Sequence, residues 1–156
     1  MAVDWKHIMK IRTAIAVVLL SAATAFSDAP DDILGQWNSD GGDSRLEFYQ
    51  CGEKICGKIV WLKVPNYIDS VDGPIGKTKV DLKNPDPELR NKPILGLQVM
   101  QGLTAKGDKK WGNGICYDPE SGKSYKCKMK LVSPGRLEVR GYIGISLIGR
   151  SFVLTR

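Results

Sequence analysis

Apolar side chains in this chain recur at every second residue, and no stretch after residue 26 keeps the 3.6-residue spacing of a helix. The pattern is clearest over residues 123–132, where Tyr125, Cys127, Met129 and Leu131 alternate with Lys126, Lys128 and Lys130. Similar alternation runs through 45–50 and 137–141. A period of two places successive side chains on opposite faces of a strand, so the chain is predicted to be all-β.

Short turn sequences between these strands predict an antiparallel arrangement. One of them is DPESG at 118–122, in which the glycine can take a positive φ. About eight strands joined mostly by hairpins indicate a small closed antiparallel barrel. One long ordered loop interrupts it at 63–93, with an expected short strand at 78–82 and a helical turn at 87–90. A strand is expected to resume over 94–103.

The first 25 residues have the pattern of a secretory signal peptide. Lys10 and Arg12 precede an apolar run over 13–26, and the run contains the small-x-small sequence Ala23-Thr24-Ala25. The run is shorter than the ~20 apolar residues of a transmembrane helix. Cleavage after Ala25 leaves residues 26–156 as a single barrel domain. We therefore predict an exported bacterial protein, periplasmic or secreted, with no transmembrane segment in its mature part.

The first residues also limit the chemistry of the mature chain. Met9 is a second candidate start, which would make 1–8 an upstream extension. His7 is the only histidine, so the predicted mature chain has none. That excludes a Ser-His-Asp triad, a Cys-His pair and imidazole metal ligands. We expect a protein that is not an enzyme and that binds no metal or cofactor.

The net charge of the predicted mature chain is moderate. Residues 1–25 hold three basic side chains and one acidic side chain. Their removal lowers the number of basic residues from 23 to 20 and the number of acidic residues from 17 to 16, which gives a net charge of +4. This is too little for a nucleic-acid footprint, and no nucleic-acid partner is predicted. The lysines at 126–130, with those at 106–110 nearby in sequence, favour a solvated face that discourages edge pairing. Contact with an anionic envelope surface is the alternative.

Four cysteines lie in the mature part, and an even number in an exported chain predicts two disulfides. Four cysteines allow three pairings. Each of the pairs Cys51–Cys56 and Cys116–Cys127 flanks an expected hairpin turn, which favours these two bonds. A four-thiolate zinc site would need closer spacing and a reducing compartment.

The first hairpin can be given an expected register. If Cys51 lies opposite Cys56, then Phe48 faces Ile59 and Leu46 faces Trp61. That register places four large apolar side chains on one face, as cross-strand packing requires.

The two ends of the domain resemble the ends of lipocalin-like (calycin) barrels. Those barrels open with Gly-x-Trp, which stands here as Gly35-Gln36-Trp37, and place a basic side chain near their end, as Arg156 does. The resemblance implies that Arg156 lies across the face of Trp37 and closes the bottom of the barrel. Such a cation–π contact contributes about 1 kcal/mol.

Longer segments are similar to the bacterial family called domain of unknown function 2147. They are CGEKICGKIVWL (51–62), PNYIDSVDGP (65–74), NPDPELRNKPILGLQVM (84–100), YDPESGKSYKCKM (117–129) and LEVRGYIGISLIGR (137–150). The similarity covers about 33–156 and implies an exported calycin-like barrel.

The barrel interior is the first candidate site. An eight-stranded barrel either fills itself with side chains or holds one small ligand. The candidate lining residues are Trp37, Phe48, Ile59, Trp61, Leu97, Val99, Tyr125, Met129 and Val139. We predict a small lipophilic or amphipathic ligand there. The alternative is a filled barrel that acts as an envelope interaction or structural module through its long loop or its lysine face.

Two further segments carry weaker hypotheses. The long loop has oxygen-bearing residues at Asn66, Asp69, Asp72, Asp81, Asn84 and Asp86. They could hold calcium or act in acid–base chemistry, although capping of the backbone explains them better. The apolar segment 142–149 (YIGISLIG) is interpreted as a buried strand with glycine bends rather than a flap or a docking patch.

Overall fold

The computed structural model describes residues 30–156, so the predicted signal peptide at 1–25 and the alternative start at Met9 lie outside the described residues. A 3-10 turn, Pro30–Ile33, precedes eight strands. The strands are β1 (Gly35–Ser39), β2 (Ser44–Cys51), β3 (Lys54–Leu62), β4 (Gln98–Ala105), β5 (Lys110–Asp118), β6 (Lys123–Ser133), β7 (Arg136–Tyr142) and β8 (Gly149–Thr155).

Each strand pairs with the next in the chain, and β1 pairs with β8 to close the barrel. All eight pairings are antiparallel. The closing contact is short, with Asn38 opposite Thr155 and Ser39 opposite Leu154. One further bond crosses this seam, from the Asp40 amide to the Val153 carbonyl at 3.1 Å. The predicted all-β barrel of about eight strands is confirmed.

The inner face follows the two-residue alternation of the sequence. On β6, Cys127, Met129 and Leu131 are buried, whereas the three lysines between and before them are exposed. On β7, Leu137 and Val139 are fully buried. These residues belong to one apolar core that runs around the barrel.

The β2–β3 hairpin does not have the expected register. Cys51 lies opposite Lys54, and Cys56 lies opposite Tyr49. The turn contains only Gly52 and Glu53, and Gly52 takes the φ of +68° that a tight hairpin turn needs. Cys51 and Cys56 are therefore diagonal neighbours, with a Cα–Cα distance of 5.9 Å, and the predicted disulfide between them is present.

A bulge in the same hairpin moves Trp61 off the inner face. Leu46 lies opposite Ile59 but Arg45 lies opposite Trp61, so Val60 is an extra residue on β3. A bulge reverses the facing of the side chains beyond it. Trp61 is consequently 41% exposed and lies against the Arg45 guanidinium, whose carbon is 5.6 Å from the ring centroid. The expectation that Trp61 lines the interior was wrong.

Cys116 and Cys127 are free thiols, so the predicted second disulfide was wrong. The register sets Cys127 opposite Gly114, one pair away from Cys116. A Cβ atom at Gly114 would lie 2.8 Å from the Cys127 sulfur. Because that sulfur packs into the space above the glycine, the two thiols are buried neighbours without a covalent bond.

The loop between β3 and β4 folds as an ordered unit. Its expected helical turn is present as a 3-10 turn, Pro87–Leu89. The expected strand at 78–82 is reduced to isolated bridges at Thr78 and Val80. Tyr67 is buried in the loop, and its hydroxyl accepts from the Val80 amide at 3.1 Å. The loop extends to Leu97, because a turn from Ile94 to Leu97 delays the start of β4.

Candidate functional site

One end of the barrel is closed by the side chains at the start of β1. Trp37 is fully buried, and its Nε1 donates to the Ile33 carbonyl at 2.8 Å. The Arg156 guanidinium carbon lies 4.1 Å from the Trp37 ring centroid, and Arg156 also donates to the Leu34 carbonyl. The expected contact between Arg156 and Trp37 is present. Gly35 begins the strand with a φ of +93°, a conformation that favours glycine.

The opposite end of the barrel opens into a cavity of about 810 Å³. Its apolar wall is formed by Leu46, Ile59, Val99, Met100, Phe152 and Leu154. Phe152 shares a strand face with the buried Leu154, and yet it is 39% exposed. An inward-facing phenylalanine with that exposure shows that side chains do not fill this half of the barrel. A volume of 300–1,000 Å³ is the usual size of small-molecule sites.

Polar side chains lie at the opening, where odd-numbered strands end and even-numbered strands begin, beside the apolar side chains of Ile143 and Ile148. We call this set of polar side chains the polar rim; it consists of Ser39, Ser44, Asp118, Ser121, Tyr142 and Arg150. None of these residues was predicted as a site residue. The alternation on β8 could have indicated Arg150, because it has the same parity as Phe152 and Leu154.

The structure divides the predicted interior residues into four groups. Ile59, Val99 and Tyr125 line the cavity. Four others are buried in the core away from its wall: Trp37, Phe48, Met129 and Val139. Leu97 lies in the long loop and packs against the core from its edge. Trp61 lies outside the barrel.

Asn84 links Asp81 and Asp86 by hydrogen bonds, and the other acidic and amide residues of the long loop make local contacts of their own. Asp69 caps its own turn by accepting from the amides of Val71 and Asp72, each at 3.0 Å. Asp86 accepts a hydrogen bond from the Glu88 amide at 3.0 Å. Asn66 pairs with Thr78 in an isolated antiparallel β-bridge. Within residues 30–156, no three His, Cys, Asp or Glu side chains form a group that could hold a metal ion.

Asp81 differs from the other loop acids because it is fully buried. Its Oδ2 accepts from Asn84 Nδ2 at 2.7 Å, and its Oδ1 accepts from the Tyr117 hydroxyl at 2.8 Å. Burial, together with the hydrogen bond to Asp81 and its charge, raises the pKa of Tyr117 to about 12. This network fastens the long loop to β5 beside the opening. Sequence analysis missed Tyr117, because a contact 36 residues apart leaves no local pattern.

The segment 142–149 is not the buried strand that was expected. Tyr142 ends β7, and the β7–β8 loop that follows exposes its apolar side chains: Ile143, Ile145, Leu147 and Ile148. Arg140 holds this loop by donating to the Ser146 carbonyl at 2.7 Å and to the Leu147 carbonyl at 3.1 Å. Gly144 has a φ of +68°, which favours glycine and interrupts the extended backbone of a strand in this loop.

The two free thiols are expected to resist alkylation in the folded protein. A hydrogen bond with Cys127, burial, and the charge of the neighbouring thiol raise the pKa of Cys116 well above its ordinary value. Because the thiolate is the nucleophile and because Cys127 is fully buried, iodoacetamide at pH 8 should modify neither cysteine over an hour. In guanidinium chloride without reductant, intact mass should show two modified thiols. Rapid modification of the folded protein, or none after unfolding, would contradict the free buried pair.

Comparison with known proteins identifies the family of this barrel. The model of an uncharacterized protein family conserved in bacteria, DUF2147, matches residues 35–156. The chain belongs to this family. The match spans the DUF2147 barrel from β1 to Arg156, and so includes the closed end, the long loop and the cavity. No similar protein was found among the curated proteins.

A solved structure supports the same fold. It is that of protein HP1028 from Helicobacter pylori, described as belonging to the lipocalin family. The two chains share 25% sequence identity and superpose with a TM-score of 0.66 over 80% of the DUF2147 chain and 82% of HP1028. The DUF2147 barrel is thus lipocalin-like. In its described part, residues 30–156, no helix is long and apolar enough to cross a membrane.

Proposed function

We propose that this protein is a non-enzymatic carrier that binds one small lipophilic or amphipathic molecule in its barrel. The observation that carries the proposal is the open cavity of about 810 Å³ with an apolar wall. Burying a lipophilic tail against that wall removes apolar surface from water, at about 25 cal/mol per Å². The polar rim leaves room for a more polar head group. The lipocalin-like fold supports this function by analogy.

Filling the cavity tests the proposal. Val99→Trp replaces a small buried wall residue by a large one, whereas Val132→Trp makes the same change at a position on β6 that is 47% exposed. The neutral fluorescent probe N-phenyl-1-naphthylamine should bind the unmodified protein saturably at one site. Val99→Trp should weaken that binding at least tenfold, because the indole occupies the ligand's volume. Val132→Trp should leave it unchanged.

Two outcomes would contradict a binding cavity. Either the unmodified protein shows no saturable binding, or both tryptophan variants bind as the unmodified protein does. Circular dichroism of all three proteins should show the same β-sheet spectrum. If Val99→Trp does not fold, Val99→Phe provides a smaller increase in volume with the same expected direction.

The site of action that we propose is outside the cytoplasm. The basic and apolar leader at 1–25 supports export, and the Cys51–Cys56 disulfide is compatible with an oxidising compartment. Intact mass of protein recovered from the envelope of a producing bacterium should correspond to a chain that begins at Phe26. Recovery of a chain that retains residues 1–25, or recovery only from the cytoplasm, would contradict export.

A further inference from the structure

The strongest unexplained feature of the cavity is the charged side chain of Arg150 at its opening. Arg150 lies on the inner face of β8 with Phe152 and Leu154, and it belongs to the cavity lining. Its partner across the strands is Gly141, which has no side chain to cover it. The guanidinium therefore stands at the boundary between the apolar wall and solvent.

Arg150 also differs from the other arginines among residues 30–156 in having no protein partner. None of the ion pairs and side-chain hydrogen bonds in this part of the chain includes it. The other five each have a partner: Arg45 with Asn38, Arg90 with the Asn84 carbonyl, Arg136 with Glu138, Arg140 with the Ser146 carbonyl and Arg156 with the Leu34 carbonyl. Five donors in a planar fork are thus left available at the opening.

The acidic residue on the polar rim bonds within its own turn and forms no ion pair with Arg150. Asp118 Oδ1 accepts from the Glu120 amide at 3.0 Å, and its Oδ2 accepts from the Ser121 hydroxyl at 2.6 Å. Each carboxylate oxygen thus accepts one hydrogen bond from the turn that follows β5. No carboxylate within the described residues lies within ion-pair distance of Arg150.

We propose that the ligand is an anionic amphiphile, a single apolar chain with a carboxylate head, and that Arg150 binds the head while the apolar wall holds the tail. The inference rests on the proposed function, because it names the class of molecule that the same cavity takes. A carboxylate matches the guanidinium fork in a bidentate geometry, and the pair is strengthened beside a low-dielectric cavity. The hydroxyls of Ser39, Ser44 and Tyr142 supply further polar groups at the same opening.

The test compares two ligands with the same tail and different heads. Decanoate and 1-decanol are each added as competitors of N-phenyl-1-naphthylamine at pH 7.5, below their solubility limits. Their affinities are measured for the unmodified protein and for two variants. Arg150→Gln removes the cation at the opening. Arg136→Gln removes the same charge from the outer face near the closed end, and so controls for net charge.

We expect the unmodified protein to bind decanoate about tenfold more tightly than decanol. Arg150→Gln should weaken decanoate binding about tenfold and change decanol binding less than twofold, whereas Arg136→Gln should change neither. Equal affinity for both ligands in the unmodified protein would overturn the proposal, as would an equal loss of both in Arg150→Gln. If neither ligand nor the probe binds, the carrier function itself fails, which is a different result.

Discussion

Replacing Trp37 by alanine should lower the free energy of unfolding by about 4 kcal/mol. The indole is fully buried at the closed end, and its removal leaves a large apolar void there. Two further contacts disappear with it: the hydrogen bond to the Ile33 carbonyl and the stacking of the Arg156 guanidinium. The Ile33 carbonyl then loses its buried donor, which adds to the cost of the cavity.

The matched control for this variant is Trp61→Ala. Trp61 lies on the outer face with 41% of its surface exposed, so its loss should cost about 1 kcal/mol or less. Urea unfolding followed by circular dichroism gives both values without relying on tryptophan fluorescence. Equal losses in the two variants would show that Trp37 does not close the barrel as described.

The contrast between these two tryptophans shows how far sequence reasoning extends. Alternation along 123–132 and 137–141 predicts which side chains face inward, because no bulge interrupts the pairing of β6 with β7 from Cys127 to Leu131. The same reasoning failed at Trp61, since one extra residue at Val60 reverses the facing of the chain. Bulges arise from the pairing of two strands, and neither strand's own sequence shows them. The position of Trp37 was predictable because Gly35-Gln36-Trp37 and Arg156 form a motif at the two ends of the barrel domain.

The barrel interior could be predicted as the place of the cavity, but the volume of the cavity could not. Inward-facing side chains at alternate strand positions were foreseeable, but an open volume depends on how many of those side chains are small. At the open end, the inner positions include Ser39, Ser44 and Gly141, whereas the closed end holds Trp37 and Phe48. This difference between the two ends becomes visible only when strand order and register are known. The role of Arg150 depends on the same information.

Tyr117→Phe should lower the free energy of unfolding by about 2 kcal/mol, although it removes only one oxygen atom. The lost hydroxyl donates to Asp81, a fully buried residue, at 2.8 Å. Without it, Asn84 is the remaining side-chain donor to that carboxylate. A fully buried carboxyl group that loses one of its two side-chain donors pays the cost of an unmade hydrogen bond. Tyr49→Phe is the matched control: its hydroxyl donates to Gln98 at an exposed site, so its loss should cost about 0.5 kcal/mol or less.

The same hydroxyl makes stability depend on alkaline pH in a specific direction. The pKa of Tyr117 is raised to about 12 in the folded protein, against 10.0 for an unperturbed tyrosine. The folded state therefore holds the phenolic proton more tightly than the unfolded chain does, and this contribution is fully present below pH 10. It is lost as the pH rises from 10 to 12, because the unfolded state gives up its proton first. Urea midpoints measured across that range should fall more steeply for the unmodified protein than for Tyr117→Phe, whereas parallel curves would show that Tyr117 titrates alike in both states.

Because the network joins the long loop to β5, proteolysis within the loop should also be faster in Tyr117→Phe than in Tyr49→Phe.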